Sequence, residues 1–214
     1  HPVSHTPSQV ISADFPGAVR AVLRKHAGVE SPVLFLQGFS GDIRPKIPPR
    51  PAQSLPQALL GSARELLTGS PPMAISVESW RAWVQQLTEQ ILRIAAQPAQ
   101  IRAAGIDFAS GCSRVPLREL FDGTSRLDSM LVRGLRLGQV LELVALGAEP
   151  TIGWQQRLTE SIGRGPGVRV YAGYCGDVFG YLPLPEQVDE GGYEVCGFQR
   201  SFGMRGRFRA AALL

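Results

Sequence analysis

The chain has 214 residues, 44% of them hydrophobic and 19% charged, a balance that excludes a disordered polyelectrolyte and suffices for a globular core without disulfide staples. Lys and Arg number 22 against 18 Asp and Glu, an excess too slight for a dedicated nucleic-acid module, and no apolar run is long enough to span a bilayer. The three cysteines, Cys112, Cys175 and Cys196, lack metal-binding spacing and allow at most one disulfide.

The opening segment, HPVSHTPSQVISAD, is rich in turn formers and reads as a loop. It starts on His-Pro rather than on Met or a signal peptide, so the chain is expected to be a fragment or a trimmed product. After Asp14, residues Ala18, Val19, Val22 and Leu23 recur at helical spacing, with Asp14 or a neighbour as cap, Pro16 in the first turn and Gly28 as terminator. The run Val33 to Leu36, between Pro32 and Gly38, predicts a buried strand, and the turn GFSGD follows it. Ile43 to Ser54 is a proline-rich linker. Leu55 to Thr68 and Trp80 to Ala96 predict helices, the second with an apolar face of Trp80, Trp83, Val84, Leu87, Ile91 and Ile94.

Ile106 to Val115 predicts a strand. LRLGQVLELVALG reads as a strand pair around Gly138-Gln139, or as one strand followed by a buried one. PTIGWQQRLTESIG predicts an amphipathic helix from Pro150 to Gly163, and VRVYAGYC another strand. Arg200, Arg205, Arg207 and Arg209 read as a solvated basic tail. The alternation of strands and helices predicts one mixed α/β domain over residues 1–214, a mixed sheet flanked by helices.

No GxSxG elbow, HExxH, P-loop or dinucleotide fingerprint occurs. The histidines are His1, His5 and His26, too few for a histidine-rich metal site. Glu149 sits in GAEP, just after the buried run VLELVAL and immediately before a helix. A carboxylate there serves either as a helix-dipole partner or as a metal ligand at a strand terminus. Tyr181 and Tyr193 follow glycines in turn-rich sequence, and a phenol can ligate a metal or donate to a developing oxyanion.

Four segments, in order, resemble the neutral/alkaline non-lysosomal ceramidase family. They are HPVSHTPSQVISADFPG, LFLQGFSGDIRP, LGAEPTIGWQQRL and VYAGYCGDVFGYLPLPEQVDEGGYEV, the last with two tyrosines twelve residues apart. The resemblance implies a zinc-dependent hydrolase of linear amide bonds in lipid metabolism, with its catalytic domain incomplete at the front. It implies His1, Glu149 and Tyr181 as Zn2+ ligands and Tyr193 as the residue at the substrate carbonyl or tetrahedral intermediate. A lipid or small-molecule amide is the implied partner, with no nucleic acid and no transmembrane segment, which leaves room for peripheral contact with a membrane. Secretion or a periplasmic location is implied in the same way.

This chain departs from the family pattern in three places. A zinc-binding His and an Arg of an upstream part have no counterpart. The family's C-terminal immunoglobulin-like domain is expected to be absent. Arg44 in GDIRP stands where the family has a serine, and it is a candidate for binding an anionic substrate group or for simply pairing with Asp42. Two other readings follow from the same residues: a catalytically inactive binding domain, and a copper oxidative enzyme clamping its metal with the amino group and imidazole of His1.

Overall fold

The computed structural model describes residues 12–28, 32–47, 75–97, 107–165 and 167–213. His1, His5, the expected helix over 55–68 and the linker beyond residue 47 lie outside them. The chain divides into two compact units, His1–Phe35 with Pro45–Gln100, and Leu36–Arg44 with Ile101–Leu214.

In the first unit, helix α1 (Asp14–Ala27) and helix α2 (Val77–Ala95) pack together. Helix α1 ends at Gly28, whose φ of 75° is open to glycine without strain. Its cap differs from the expected one. Ala13 holds the cap position without a side-chain bond, and Ser12 Oγ instead accepts the Asp14 N–H at 3.0 Å. Helix α2 starts a turn earlier than the apolar face suggested, because the Ser76 hydroxyl accepts the Ser79 N–H at 3.0 Å. Of the expected face, Val84 is buried while Ile94 is exposed. The Trp80 indole donates to Asp14 Oδ1 at 3.0 Å, and Trp83 meets Phe15 edge-on at 5.5 Å, so both tryptophans serve helix packing.

The second unit is a mixed α/β body. A four-stranded sheet has the order β1 (Phe108–Pro116), β3 (Ser129–Leu137), β4 (Leu141–Leu146), β6 (Val168–Ala172). The first three strands run antiparallel and β6 joins β4 in parallel. LRLGQVLELVALG is therefore a hairpin, turned at Gly138 with φ of 51°. Before β3 come the short helix α3 (Leu117–Leu120) and strand β2 (Phe121–Thr124).

Strand β5 (Glu149–Pro150) and helix α4 (Gly153–Ile162) follow β4. The expected start of that helix at Pro150 is corrected: Pro150 is a strand residue, and the helix begins at Gly153. Helix α4 lies on the sheet, with the Thr159 hydroxyl 2.8 Å from the Tyr171 hydroxyl and Arg169 Nη1 donating to Gly163 O at 2.5 Å. Strand β7 (Tyr181–Leu182), helix α5 (Pro185–Glu190), a π-helical turn (Tyr193–Gly197), strand β8 (Arg205–Phe208) and a 3-10 turn (Ala210–Leu213) complete the unit. The core centres on Phe179, Phe198 and Met204, joined by Leu117, Leu146, Tyr181 and Phe208.

Two expectations are corrected here. Val33 to Leu36 is not a buried strand: Leu34 is 85% exposed, and the adjoining backbone makes one sheet-like bond, Gly173 N–H to Gln37 O at 2.9 Å. An apolar run becomes a strand only where a neighbour supplies a repeated ladder. The basic segment near the C-terminus is no tail, because β8 pairs with β2. All three cysteines are free thiols. Among the described residues no helix is long and apolar enough to cross a membrane.

Candidate functional site

Strands β5 and β7 are each two residues long, yet they bring the distant sequence motifs together. They pair in parallel with Glu149 directly opposite Tyr181, so both side chains leave the same face. The Glu149 N–H donates to Gly180 O at 2.8 Å, and the Thr151 N–H to Leu182 O at 3.1 Å. On the other side, the Gly41 N–H of the GFSGD turn donates to Pro150 O at 2.8 Å. A Cβ at Gly41 would stand 3.0 Å from Glu149 O, so any larger residue would have to push the turn back by a few tenths of an ångström. Asp42 anchors the turn from its far end by accepting the Ile152 N–H at 2.8 Å.

The Glu149 carboxyl is buried, at 6% exposure. The phenols of Tyr174 and Tyr181 stand next to it. Burial pushes its pKa above the usual carboxylate range, while the two phenols and the charge of Arg44 pull it partway back. The same burial, joined by the neighbouring carboxylate, pushes Tyr174 and Tyr181 above the usual phenol range. Both tyrosines are therefore protonated donors at neutral pH. Glu149 lies four residues before helix α4 begins, and its own N–H is committed to a strand, so the helix-dipole role does not apply.

Tyr193 stands on the π-helical turn with its ring edge-on to Tyr181 at 5.6 Å and is 38% exposed. Phe198 backs Tyr181 at 5.1 Å from inside the core. Arg44 does not pair with Asp42; its Nη2 donates to Glu194 Oε1 at 3.1 Å, next to Tyr193 in the chain. Glu149, Tyr181, Tyr193 and Arg44 thus belong to one cluster, and His26 is an exposed residue of α1. Ser40 is buried and accepts from Gln37 Nε2 at 3.1 Å.

Two members were not anticipated. Tyr174 follows β6 with φ of 57°, a left-handed conformation that is strained for a non-glycine residue, and its N–H is held by Ala148 O at 2.9 Å. Its place after a glycine at the carboxyl end of a strand was the available signal. Glu194 had none, since nothing local links it to Arg44, 150 residues away.

Among the described residues no group of three or more His, Cys, Asp or Glu side chains gathers as a metal cluster. What the described residues of the site offer is the Glu149 carboxylate and three phenols, all oxygen donors, beside the guanidinium of Arg44 and its partner carboxylate Glu194. Compared with known protein families, curated proteins and solved structures, the chain matches none of them.

Proposed function

We propose that this site belongs to a zinc-dependent hydrolase of linear amide bonds, similar to the neutral/alkaline ceramidases, with an N-acyl lipid or a smaller N-acyl amide as substrate. The observation that carries the reading is the pairing of Glu149 with Tyr181 across β5 and β7, with Tyr193 packed against Tyr181. The donor set fits a hard or borderline dication. A buried carboxylate whose charge is costly in the metal-free protein gains from a cation, and a cation lowers the phenol pKa that burial has raised. Glu149 and Tyr181 would hold the ion; His1, the further ligand that the resemblance implies, lies outside the described residues. When bound, zinc polarises an amide carbonyl and lowers the pKa of its water.

The remaining steps fall to side chains of this chain. Tyr174 helps to hold the Glu149 carboxylate in place. Tyr193, half open to solvent, supplies a phenolic O–H for oxygen charge that develops on the substrate. Arg44 offers further N–H donors beside the phenols while one is engaged by Glu194. It directs the site toward acyl amides that carry an anionic group.

Zinc measured by elemental analysis, with hydrolysis of N-acylsphingosine and short N-acyl amides, tests this. Glu149→Ala should hold less zinc and cleave the amides more slowly than wild type, whose own zinc binding and activity are expected to be weak. A second reading, an inactive ceramidase-like binding domain, is favoured by one observation: Arg44 replaces the family's serine and is tied into an ion pair with Glu194. Zinc-replete protein with no amidase activity on any of these substrates would select it.

A further inference from the structure

The two-stranded ribbon of β2 and β8 carries a concentration of positive charge that the proposed reaction does not use. Residues 121–126 and 200–209 contain five arginines, Arg126, Arg200, Arg205, Arg207 and Arg209, against one carboxylate, Asp122. All five arginines are exposed. Among the described residues the ribbon has one ion pair, Arg209 to Asp122 at 3.5 Å.

The surface is built rather than frayed. Gly123 and Gly206 face each other in the ladder with φ of 154° and 152°. A Cβ at Gly123 would fall 2.1 Å from Arg205 O, so the two backbones press together where no side chain fits. Phe121 and Phe208 turn inward and stack edge-on at 5.2 Å, which leaves Arg205 and Arg207 together on the outer face. Arg126 lies over the neighbouring turn, where a Cβ at Gly203 would come within 2.5 Å of its Nε. Phe208 meets Phe198 at 6.3 Å and Phe198 meets Tyr181 at 5.1 Å, so a single buried ring separates the ribbon from the candidate site.

We propose that this ribbon is a docking surface for a membrane carrying anionic lipid headgroups. Charge complementarity selects a phosphate-bearing partner, and the ribbon's composition selects among such partners. Its aromatic rings are buried, so it has none to stack on single-stranded bases. Asp122 sits opposite Arg207 in the ladder, and a ribbon pushed into a nucleic-acid groove would set that carboxylate among phosphates. Against a bilayer Asp122 stays hydrated, and mobile headgroups adjust to arginines at unequal spacing. The proposal does not rest on the amidase reading.

Co-sedimentation with vesicles tests it, without zinc or substrate. Phosphatidylcholine vesicles containing about one third phosphatidylserine should bind the protein, and pure phosphatidylcholine should not. Each arginine lost should weaken partition about fivefold, so Arg205→Gln with Arg207→Gln should weaken it about 25-fold, and the binding should fade as salt rises. Arg133→Gln with Arg136→Gln, on strand β3, removes the same charge elsewhere and should leave partition unchanged. Circular dichroism checks that both pairs fold. Equal loss in the two double variants, no preference for anionic vesicles, or tighter binding to an oligonucleotide than to vesicles would each overturn the proposal.

Discussion

Replacing Tyr181 by phenylalanine removes one oxygen and keeps the ring that Phe198 and Tyr193 pack against at 5.1 and 5.6 Å. The lost oxygen belongs to a phenol beside the buried Glu149 carboxyl, where it is placed to donate a hydrogen bond. Such a bond to a charged group contributes about 1.5–3 kcal/mol, and the low end applies because the Tyr174 phenol stands beside the same carboxyl. At about 4 °C per kcal/mol for a unit of this size, Tyr181→Phe should lower Tm by about 6 °C. Tyr181→Ala removes the ring as well, and a cavity in a site only 6% exposed should cost about 3–5 kcal/mol, or about 16 °C. The assay is thermal unfolding by circular dichroism after dialysis against EDTA, repeated with zinc. Ligand linkage should raise the Tm of wild type with zinc, and Tyr181→Phe should show a smaller rise. Wild-type melting of Tyr181→Phe would refute the hydroxyl's role at Glu149. Equal losses in the two variants would show that the ring does not hold the core.

Because burial raises the Glu149 pKa above its usual 4.5, its contribution to metal-free stability is complete below about pH 4.5 and lost as pH rises through the folded value. Glu149→Gln cannot titrate, so its Tm relative to wild type should climb between pH 4 and 8 in EDTA; a flat difference would contradict the burial argument. Gly180→Ala would set a Cβ 2.2 Å from Phe198 Cε2 at a φ of 142°. With Phe198 fully buried, this should cost at least about 2 kcal/mol in denaturant melts, and a neutral result would mean the Gly180–Phe198 packing is looser than described. Arg44→Ala breaks an exposed ion pair and should change stability by less than about 1 kcal/mol. If Arg44 selects anionic substrates, kcat/KM for N-acyl amides bearing a carboxylate should fall about tenfold or more while neutral amides are unaffected, and a uniform loss would remove that role.

Local pattern in the sequence was enough for those elements whose partners lie close along the chain. The spacing around Trp80 and Trp83 exposes helix α2, and the apolar runs either side of Gly138 expose the β3–β4 hairpin, because periodicity and turn chemistry act over a few residues. The mixed α/β class follows from the same signals. Glu149, Tyr181, Tyr193 and Arg44 were legible as candidates through motif resemblance, although no local feature ties them together. Their meeting depends on two-residue strands, too short for any periodic signature, and on a turn that reaches Pro150 through a glycine. The same limit explains the misses. Val33 to Leu36 reads as a strand until the ladder that would make it one proves to be a single bond. Pro150 reads as a helix start until β7 claims it. The arginines near the C-terminus read as a tail until β2, some eighty residues earlier, pairs with them. Strand pairing, burial and charge proximity over such distances are properties of the packed chain, and only the tertiary structure decides them.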